Sequence, residues 1–415
     1  MIISYATPAN TIYPLTMSYT AGGTVTPSSG NYLPGNTVTI NAIPNTGYVF
    51  IGWTGMGQGS YTGNALSNTI TMNGAITENA FFANIYVPVT LTNSQSSATV
   101  SGLQQMLNIP SSTYSSYINS GWSNVEFTAS APIGTAGNVP LYAWIETNAI
   151  NTATSTTVWV NLGTNTIAAY GNTLTIYMNF LPSNVMTSNT AYTGEAPQLE
   201  TGTCAAYGSC DNGALVFPAF YDNFVGTVLS AKWTQATSLE TISNTVSNGI
   251  TLTATNSGTC PCYAFITTAS ATFYPSNALR ALEKDGSSTY PGNLGFGDYE
   301  DTKYAVFKGA YTSSQYDLAT DVGGALTYGG GYGMDTNLHT WDTYWGPSTG
   351  NFYVDGILKY TSSTNVPSTA LHIGIGDLGN GGTVGSTTSG SLTWIFVHAY
   401  PPVGTMPSVS FGSVA

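Results

Sequence analysis

Four cysteines are the residues in this chain whose chemistry most narrows its role. Cys204 and Cys210 lie in one segment, and Cys260 and Cys262 lie in another. Four thiolates can bind structural zinc, and a single activated thiolate can act as a nucleophile. However, the spacing within the two pairs matches no familiar zinc ribbon, and no basic residue precedes Lys232 to activate a thiolate. We therefore expect disulfides, with a four-thiolate zinc site as the alternative.

The pairing of these thiols follows in part from ring size. A bond between Cys260 and Cys262 would close a very small, strained ring through Pro261, so the arrangement with two local pairs is excluded. The two arrangements that join the segments both remain open. Either one would tie the segment around Cys210 to the segment around Cys262. A stable disulfide of this kind indicates an oxidising, extracellular location.

Carboxylates at short spacing form a second candidate site, in the tract GDYEDTKY. Asp298 and Glu300 would share one face of a strand, and Asp301 follows directly. Oxygen ligands in such a cluster suit Ca²⁺, so these three residues are a candidate calcium site. A hydrolytic site is disfavoured, because the tract lies between glycine-rich turns and has no third acid at the next alternate position. Glu146, beside Trp144, likewise has no second carboxylate in its own motif to form an acid–base pair.

An aromatic cluster in the tract HTWDTYWG is the candidate ligand surface. Trp341 and Trp345 are candidates for stacking on a sugar. Alternation along a strand places them on the face opposite Tyr344, so one of the two sets must face the core. The histidines fit no zinc signature and are expected to have structural roles; they are His339, His372 and His398. These patterns predict no catalytic residue and no cofactor, and we expect a protein that is not an enzyme.

The composition limits the classes of partner. The 415 residues include 19 acidic and 6 basic residues, which gives a net charge of −13, and every basic residue lies beyond position 231. Nucleic acid or an anionic bilayer surface would therefore find nothing to pair with in the first half of the chain. Charged residues make up 6% of the chain and aromatic residues 12%, which indicates a folded protein with a neutral surface. No apolar run is long enough for a transmembrane helix.

The elements that would position these residues are almost all β-strands. Short alternating runs recur between Gly, Asn, Pro and Ser, as in NTVTINAIP, TVWVNLG and GNFYVDGILKY. This pattern is typical of β-sandwiches and barrels. Helix is predicted only over 111–122 and 277–286, and the dipeptide Asp355-Gly356 predicts a hairpin turn. We therefore predict an all-β fold with three β domains in tandem.

These runs divide the chain into five segments. They are an N-terminal arm (1–12), a small β unit (13–86), a tryptophan-bearing β-sandwich (87–200), a cysteine-bearing connector (201–214) and a larger β domain (215–415). The arm is a candidate donor strand, because Met1–Asn10 could add to the open sheet edge of a second copy of the chain.

The small β unit carries the stretch AGGTVTPSSGNYLPGNTVTINAIPNTGYVFIGWTG, followed by NTITMNGAITENAFF. These residues resemble the divergent internalin-B-type repeat of bacterial and archaeal surface proteins. Tyr48, Phe50 and Trp53 within them can fill a very small core. The resemblance implies a β spacer without a ligand of its own.

Two further sets of motifs resemble domains of surface proteins. LQQMLNIPSSTYSSYINSGWSNVEF, VPLYAWIET and TLTIYMNF, within 87–200, resemble an archaeal surface domain of unknown function. FYDNFVGTVLSAKWTQ, HTWDTYWGPSTGNFYVDGILKY and WIFVHAYPPVGTMPSVSFGS, within 215–415, resemble a laminin-G or concanavalin-like jelly roll. These architectures imply cell-surface, adhesive or carbohydrate-binding proteins and no particular reaction.

Together these observations predict an extracellular protein of the cell surface and of archaeal type. The first predicted function is that of a structural and adhesive subunit of a pilus-like filament built from copies of the chain. No Asn is followed two residues later by Ser or Thr, and a surface without N-glycans suits such packing. The alternative is a secreted carbohydrate-binding protein that acts through the jelly roll on surface glycans. A glycoside hydrolase is the third and disfavoured candidate.

Overall fold

The computed structural model describes residues 11–45, 48–133, 135–181, 192–199, 208–238, 240–256, 262–270, 272–285, 293–298, 304–312, 315–333, 335–379, 387–401 and 404–415. Strands make up 55% of the structure and helices 3%, which confirms the predicted all-β fold class. The arm Met1–Asn10 lies outside these ranges, so strand donation by it stays a prediction. Within the same ranges, no helix has the length and apolar character needed to cross a membrane.

The first block is a small β unit of two sheets. Its strands are β1 (Tyr13–Tyr19), β2 (Gly23–Thr26), β3 (Gly30–Tyr32), β4 (Thr37–Pro44), β5 (Val49–Met56), β6 (Ser67–Thr71) and β7 (Ile76–Ala83). One sheet has the order β3-β1-β7-β5, with β1 and β7 parallel, and the other has the order β2-β4-β6. Alternation turns Ile40 and Ile76 inward around the buried Trp53. Tyr48 and Phe50 pack against this core.

The second block is a β-sandwich. Its strands are β8 (Tyr86–Asn93), β9 (Gln104–Ile109), β10 (Val125–Ala129), β11 (Val139–Leu141), β12 (Ala143–Thr147), β13 (Thr156–Asn161), β14 (Asn172–Phe180) and β15 (Thr193–Glu195). One sheet contains β11-β10-β14-β8, and the other has the order β15-β12-β13-β9. Val89, Phe127 and Val158 belong to the core between them. The predicted helix over 111–122 consists of two 3₁₀ turns, Ser111–Tyr114 and Ser120–Trp122.

The third block is a jelly roll of two large sheets, preceded by the short helix α1 (Gly213–Val216). Its strands are β16 (Phe220–Asp222), β17 (Trp233–Ser238), β18 (Glu240–Val246), β19 (Ile250–Asn256), β20 (Cys262–Thr268), β21 (Asn277–Asp285), β22 (Asn293–Asp298), β23 (Tyr304–Thr312), β24 (Gln315–Val322), β25 (Ala325–Gly333), β26 (Leu338–Trp345), β27 (Gly350–Val354), β28 (Ile357–Ser362), β29 (Ile373–Gly379) and β30 (Thr387–Ala399). The eight-stranded sheet has the order β18-β19-β30-β21-β26-β27-β28, with β16 paired to β30, and the seven-stranded sheet has the order β17-β20-β29-β22-β23-β24-β25. The two sheets enclose one apolar core.

The helix predicted over 277–286 is wrong, because this segment forms β21. The strand lies between β30 and β26 in the eight-stranded sheet. Leu279 and Ala281 point into the jelly-roll core, whereas Arg280 and Leu282 contact the sandwich. Both faces of the strand are therefore buried. Packing and strand pairing outweigh the helical propensity of its Ala, Leu, Glu and Lys residues.

The chain returns to the sandwich at its C-terminus. The strand β31 (Ser408–Phe411) pairs antiparallel with β8 at the edge of the first sandwich sheet. Beyond it, Ala415 and Tyr86 exchange backbone hydrogen bonds of 3.0 and 3.1 Å. The range 215–415 predicted for the jelly roll is therefore too long, because its last strand completes the second block. The sequence SVSF is a short alternation of polar and apolar residues, and nothing in it indicates which sheet the strand joins.

Deletion of residues 408–415 is expected to destabilise the sandwich by about 3 kcal/mol. Val409, Phe411 and Val414 pack against its core, and the deletion removes this apolar contact together with the ladder on β8. Thermal unfolding of the truncated chain measures the loss. Adding residues 408–415 as a free peptide should raise the melting temperature again. An unchanged melting temperature in the truncated chain would show that β31 does not support the sandwich.

Candidate functional site

An interdomain cleft of about 590 Å³ lies between the sandwich and the outer face of the eight-stranded sheet. The sandwich lines it with residues of β9, β12 and β13, and the jelly roll lines it with residues of β21, β26, β27 and the segment 400–406. The two blocks are held together by a shared apolar cluster that includes Trp144, Trp159, Phe217, Trp394 and Phe396. The cleft therefore exists only where these two parts of the chain meet.

Three charged side chains form the floor of the interdomain cleft. Arg280 donates to both carboxylate oxygens of Glu146, at 2.9 Å from Nε and 2.8 Å from Nη2, and to Asp342 at 2.5 Å from Nη1. Trp159 Nε1 donates to Glu146 at 2.7 Å. None of the three charged residues is more than 7% exposed. This cluster, the Glu146–Arg280–Asp342 triad, joins the sandwich to the jelly roll.

Strand alternation explains why these side chains face the cleft. On β21, Leu279 and Ala281 fill the jelly-roll core, so Arg280 points outward between them. On β26, Trp341 lies in the same core, so its neighbour Asp342 points to the opposite face. That outer face would normally meet solvent, but here the sandwich covers it.

Burial and mutual attraction set the charge state of the triad. Burial alone would lower the pKa of Arg280, but the charges of Asp342 and Glu146 outweigh burial and raise that pKa above its ordinary value. Burial also raises the pKa of Asp342, and Glu146 and Asp355 add to this rise while Arg280 opposes it. One guanidinium thus faces two carboxyl groups in the floor of the cleft.

Three tyrosines form an aromatic wall of the cleft. The ring centroid of Tyr344 lies 4.9 Å from that of Tyr353 and 4.7 Å from that of Tyr400. Burial raises the pKa of all three phenols, and that of Tyr344 lies well above its ordinary value, so the rings are neutral at neutral pH. Tyr400 Oη donates to the carbonyl of Gly404 at 2.8 Å, which fixes its ring against the segment that follows β30.

An Asp–His–Asp cluster lies at the rim of the cleft. His339 Nδ1 is 2.7 Å from Asp355 Oδ2, and its Nε2 is 3.0 Å from Asp335 Oδ1. Burial alone would lower the pKa of His339, but the two carboxylates outweigh burial and raise it. Asp355 and Gly356 have φ angles of 51° and 74°, as a tight hairpin between β27 and β28 requires. His339 therefore anchors the turn that bounds the cleft.

When the pH is raised from 6 to 8, the variant His339→Gln is expected to lose less stability than the wild-type chain does over the same change. The folded pKa of His339 is raised above its ordinary value of 6.5, so its stabilising effect is complete below that pH and is lost as the pH rises through the raised value. The melting temperature of the wild-type chain should fall by about 1–2 °C more than that of the variant. His372→Gln serves as the matched control. Equal pH dependence in the wild-type and His339→Gln chains would refute the role of this cluster.

The structure places the two predicted sugar-stacking tryptophans away from the cleft. Trp341 and Trp345 are 3% and 0% exposed and belong to the jelly-roll core. The prediction that they form a ligand surface is therefore wrong, because neither ring has a face that a ligand can reach. The predicted alternation holds, since Tyr344 lies on the opposite face of β26 and lines the cleft.

The remaining histidines lie in structural positions. His372 Nδ1 is 3.3 Å from the hydroxyl of Thr268. The His398 ring is buried 4.7 Å from the ring of Trp159, measured between centroids, and burial lowers its pKa to about 3. His398 is therefore neutral at neutral pH and packs within the interface between the sandwich and the jelly roll.

The candidate calcium residues give no site that can be described. Glu300, Asp301 and the side chain of Asp298 lie outside the described residues, so calcium binding there stays a prediction. In the parts of the chain that the structure does describe, no three His, Cys, Asp or Glu residues are grouped to hold a metal ion.

The connector is anchored by the half-buried carboxylate of Asp211. Asp211 Oδ1 accepts hydrogen bonds from Trp144 Nε1 at 2.9 Å and from the backbone N–H of Gly213 at 2.8 Å. Its Oδ2 accepts from Asn223 at 2.8 Å and from the hydroxyl of Tyr221. Burial raises the pKa of Asp211, and these four hydrogen bonds oppose the rise. The donors come from both blocks, so Asp211 joins the connector to each of them.

The cysteine next to this carboxylate, Cys210, is disulfide-bonded. Cys204, Cys260 and the side chain of Cys262 lie outside the described residues, so the pairing of the thiols stays a prediction.

Glu146 and Asp342 show what sequence reasoning missed. Glu146 has no acidic partner in its own motif, but the fold brings Asp342 of the third block to the same guanidinium. Motif spacing cannot reveal such a pair, because its members belong to different domains. One signal was available: Arg280 lies between apolar residues in NALRAL and Asp342 lies beside Trp341, and buried charges require partners.

One comparison with known proteins bears on the first block. Residues 13–86 match the Divergent InlB B-repeat domain, which confirms the predicted repeat. No curated protein matches this chain.

Several solved structures are similar to less than half of the chain. One is a glycosyl hydrolase family protein from Mycobacterium fortuitum, with 16% identity over 43% of this chain and 98% of that chain and a TM-score of 0.34. Another is the catalytic domain of an endo-1,3-beta-glucanase (laminarinase) from Thermotoga petrophila, with 12% identity over 43% of this chain and 96% of that chain and a TM-score of 0.32. A third is a pseudo beta-1,3-glucanase of Mycobacterium tuberculosis, with 16% identity over 44% of this chain and 98% of that chain and a TM-score of 0.34.

The names of these structures contradict the prediction that the chain is not an enzyme, because hydrolases are among the proteins its fold is similar to. That exclusion is therefore withdrawn. The chain is an all-β protein in which an InlB-type repeat precedes a β-sandwich and a jelly roll.

Proposed function

We propose that this chain is an extracellular protein that binds carbohydrate in the interdomain cleft. The observation that carries the proposal is the pair of half-buried rings of Tyr344 and Tyr353 beside the carboxyl groups of Glu146 and Asp342. A sugar ring presents an apolar C–H face and several hydroxyls. Neutral aromatic rings pack against the C–H face, and a few fixed polar groups orient the hydroxyls through hydrogen bonds.

The size and charge of the cleft fit such a ligand. A volume of about 590 Å³ lies within the range that small-molecule sites occupy. Asn108, Thr147 and Thr157 add an amide and two hydroxyls on the sandwich side. The net charge of −13 of the chain disfavours phosphorylated or sulfated ligands. These features support a neutral ligand rich in hydroxyl groups.

The extracellular location rests on separate features of the chain. Cys210 is disulfide-bonded, and disulfides persist outside the reducing cytosol. The InlB-type repeat over 13–86 and the all-β fold are compatible with an extracellular protein. In the proposed arrangement this repeat serves as a spacer, and the sandwich and jelly roll together form the binding unit. These features support the secreted carbohydrate-binding protein, which was predicted as the alternative, over the filament subunit.

A binding assay with Tyr353→Ala tests the proposal. The wild-type chain should bind neutral oligosaccharides on a glycan array, and calorimetry with the tightest binder should show about tenfold weaker affinity for the variant, because it loses one stacking ring. Chromatography of the same mixtures reports whether bound oligosaccharide is also cleaved.

The matched control is Tyr170→Ala, which removes a tyrosine that is 77% exposed on the sandwich and does not line the cleft. This variant should bind as the wild-type chain does. Absence of binding to every neutral oligosaccharide, or equal losses in both variants, would overturn the proposal.

A further inference from the structure

Asp342 has one carboxylate oxygen that the protein leaves without a partner. Its Oδ2 accepts from Arg280 at 2.5 Å, whereas Oδ1 is buried and accepts no hydrogen bond from any residue that the structure describes. Asp342 is 2% exposed and lines the interdomain cleft. Buried polar atoms are nearly always paired, so an unpaired acceptor at a cleft indicates a group that pairs from the cleft side.

The chemistry of this oxygen limits what can pair with it. A carboxylate oxygen next to a guanidinium acts as an acceptor, so the ligand must donate. The pairing group can be a hydroxyl or an ammonium group, which donate a hydrogen bond, or a metal ion, which the oxygen would coordinate. A metal ion requires several converging ligands, and no such group occurs among the described residues. An ammonium group would lie beside the cation of Arg280, which repels it. A neutral hydroxyl meets neither obstacle.

The surroundings of Asp342 narrow the class of hydroxyl. Tyr344, two residues further along β26, extends from the same face of the strand and lines the cleft with Tyr353. Their rings lie 4.9 Å apart, measured between centroids. A donor next to these rings must therefore belong to a molecule that has an apolar face and a hydroxyl close together. A pyranose ring has both.

We propose that Asp342 Oδ1 accepts a hydrogen bond from a hydroxyl of a neutral sugar whose ring lies against Tyr344 and Tyr353. Asp342 is then the residue that selects a hydroxyl at one position of the sugar. The tyrosines pack against the sugar ring, and this packing depends less on the stereochemistry of the hydroxyls. This inference rests on the proposed carbohydrate-binding function, and it adds a specific atom and a specific donor to it.

The test combines Asp342→Asn with sugars that lack one hydroxyl. Laminari- and cello-oligosaccharides are titrated by calorimetry, together with analogues in which single hydroxyls are replaced by fluorine, which cannot donate. One analogue should bind the wild-type chain about tenfold more weakly than its parent. Asp342→Asn should bind the parent about tenfold more weakly than the wild-type chain does and should not distinguish that analogue from its parent. Glu126→Gln, which changes a half-buried acid on β10 that does not line the cleft, is the matched control.

The outcomes separate this inference from the function on which it rests. If the wild-type chain distinguishes no analogue from its parent, or if Asp342→Asn binds as tightly as the wild-type chain, the inference is wrong and carbohydrate binding still stands. If chitosan oligosaccharides, which carry ammonium groups, bind more tightly than the neutral sugars, the donor is an ammonium group and the inference is also wrong. If no oligosaccharide binds the wild-type chain, both proposals fail. The analogue series uses unaltered protein, so a folding defect in Asp342→Asn does not block the test.

Discussion

Replacement of Arg280 by glutamine is expected to destabilise the chain by about 3–5 kcal/mol. Arg280 is the cation shared by Glu146 and Asp342, and all three side chains are buried. Without the guanidinium, two carboxylates remain in the interface between the sandwich and the jelly roll with no compensating charge. Denaturant unfolding of the full chain measures the loss.

Two further variants identify the cause of this loss. Lys284→Gln removes an exposed cation from the same strand and should change the free energy of unfolding by less than about 0.5 kcal/mol. The triple variant Glu146→Gln, Arg280→Met, Asp342→Asn should be more stable than Arg280→Gln, because it leaves no isolated buried charge. A loss below about 1 kcal/mol for Arg280→Gln would mean that the triad does not hold the two blocks together.

Replacement of Asp211 by alanine is the second change with a large expected effect, a destabilisation of about 3 kcal/mol. The carboxylate accepts hydrogen bonds from Trp144, Gly213, Tyr221 and Asn223. Its removal takes one acceptor away from each of these four donors, and each lost hydrogen bond costs free energy. The loss is measured by thermal and denaturant unfolding.

Asp211→Asn is the matched variant for this position. Its amide keeps one acceptor oxygen of similar shape, so it should lose less stability than Asp211→Ala. If the two variants are equally stable, or if alanine costs less than about 1 kcal/mol, the connector is not anchored by this residue.

The strands of this chain are readable from sequence because their side chains alternate. The same alternation separates Trp341 and Trp345 from Tyr344, and the structure keeps that separation. Alternation does not show which face of the strand lies in the core, because the sandwich also covers the outer face of the eight-stranded sheet. Both faces of β26 carry aromatic residues for that reason, and the larger tryptophans turned out to fill the inner one.

The errors over 277–286 and at the C-terminus have related physical causes. Residues such as Leu279 and Glu283 favour helices in isolation, but β30 and β26 pair with both edges of this segment, and tertiary packing decides its conformation. The strand β31 has only four residues. Nothing in a run of that length indicates that it pairs with β8, more than 300 residues earlier in the chain.

The cleft itself was beyond the reach of sequence reasoning. Glu146 comes from the sandwich, and Arg280, Asp342 and Tyr344 come from the jelly roll. Their meeting depends on how two domains dock, and no local pattern encodes docking. The presence of an uncompensated Glu146 in an apolar strand did indicate that a partner was required, although not which one.

Hydrogen exchange with bound oligosaccharide tests the central claim most directly, because it locates the binding site on unaltered protein. Laminari- and cello-oligosaccharides are added to the wild-type chain, and protection of backbone amides is mapped by mass spectrometry. We expect added protection in β26, in β27 with its Asp355-Gly356 turn, and in residues 404–406, with no change in β1–β7. Protection confined to the seven-stranded sheet or to the first block, or no protection with any of these sugars, would contradict it.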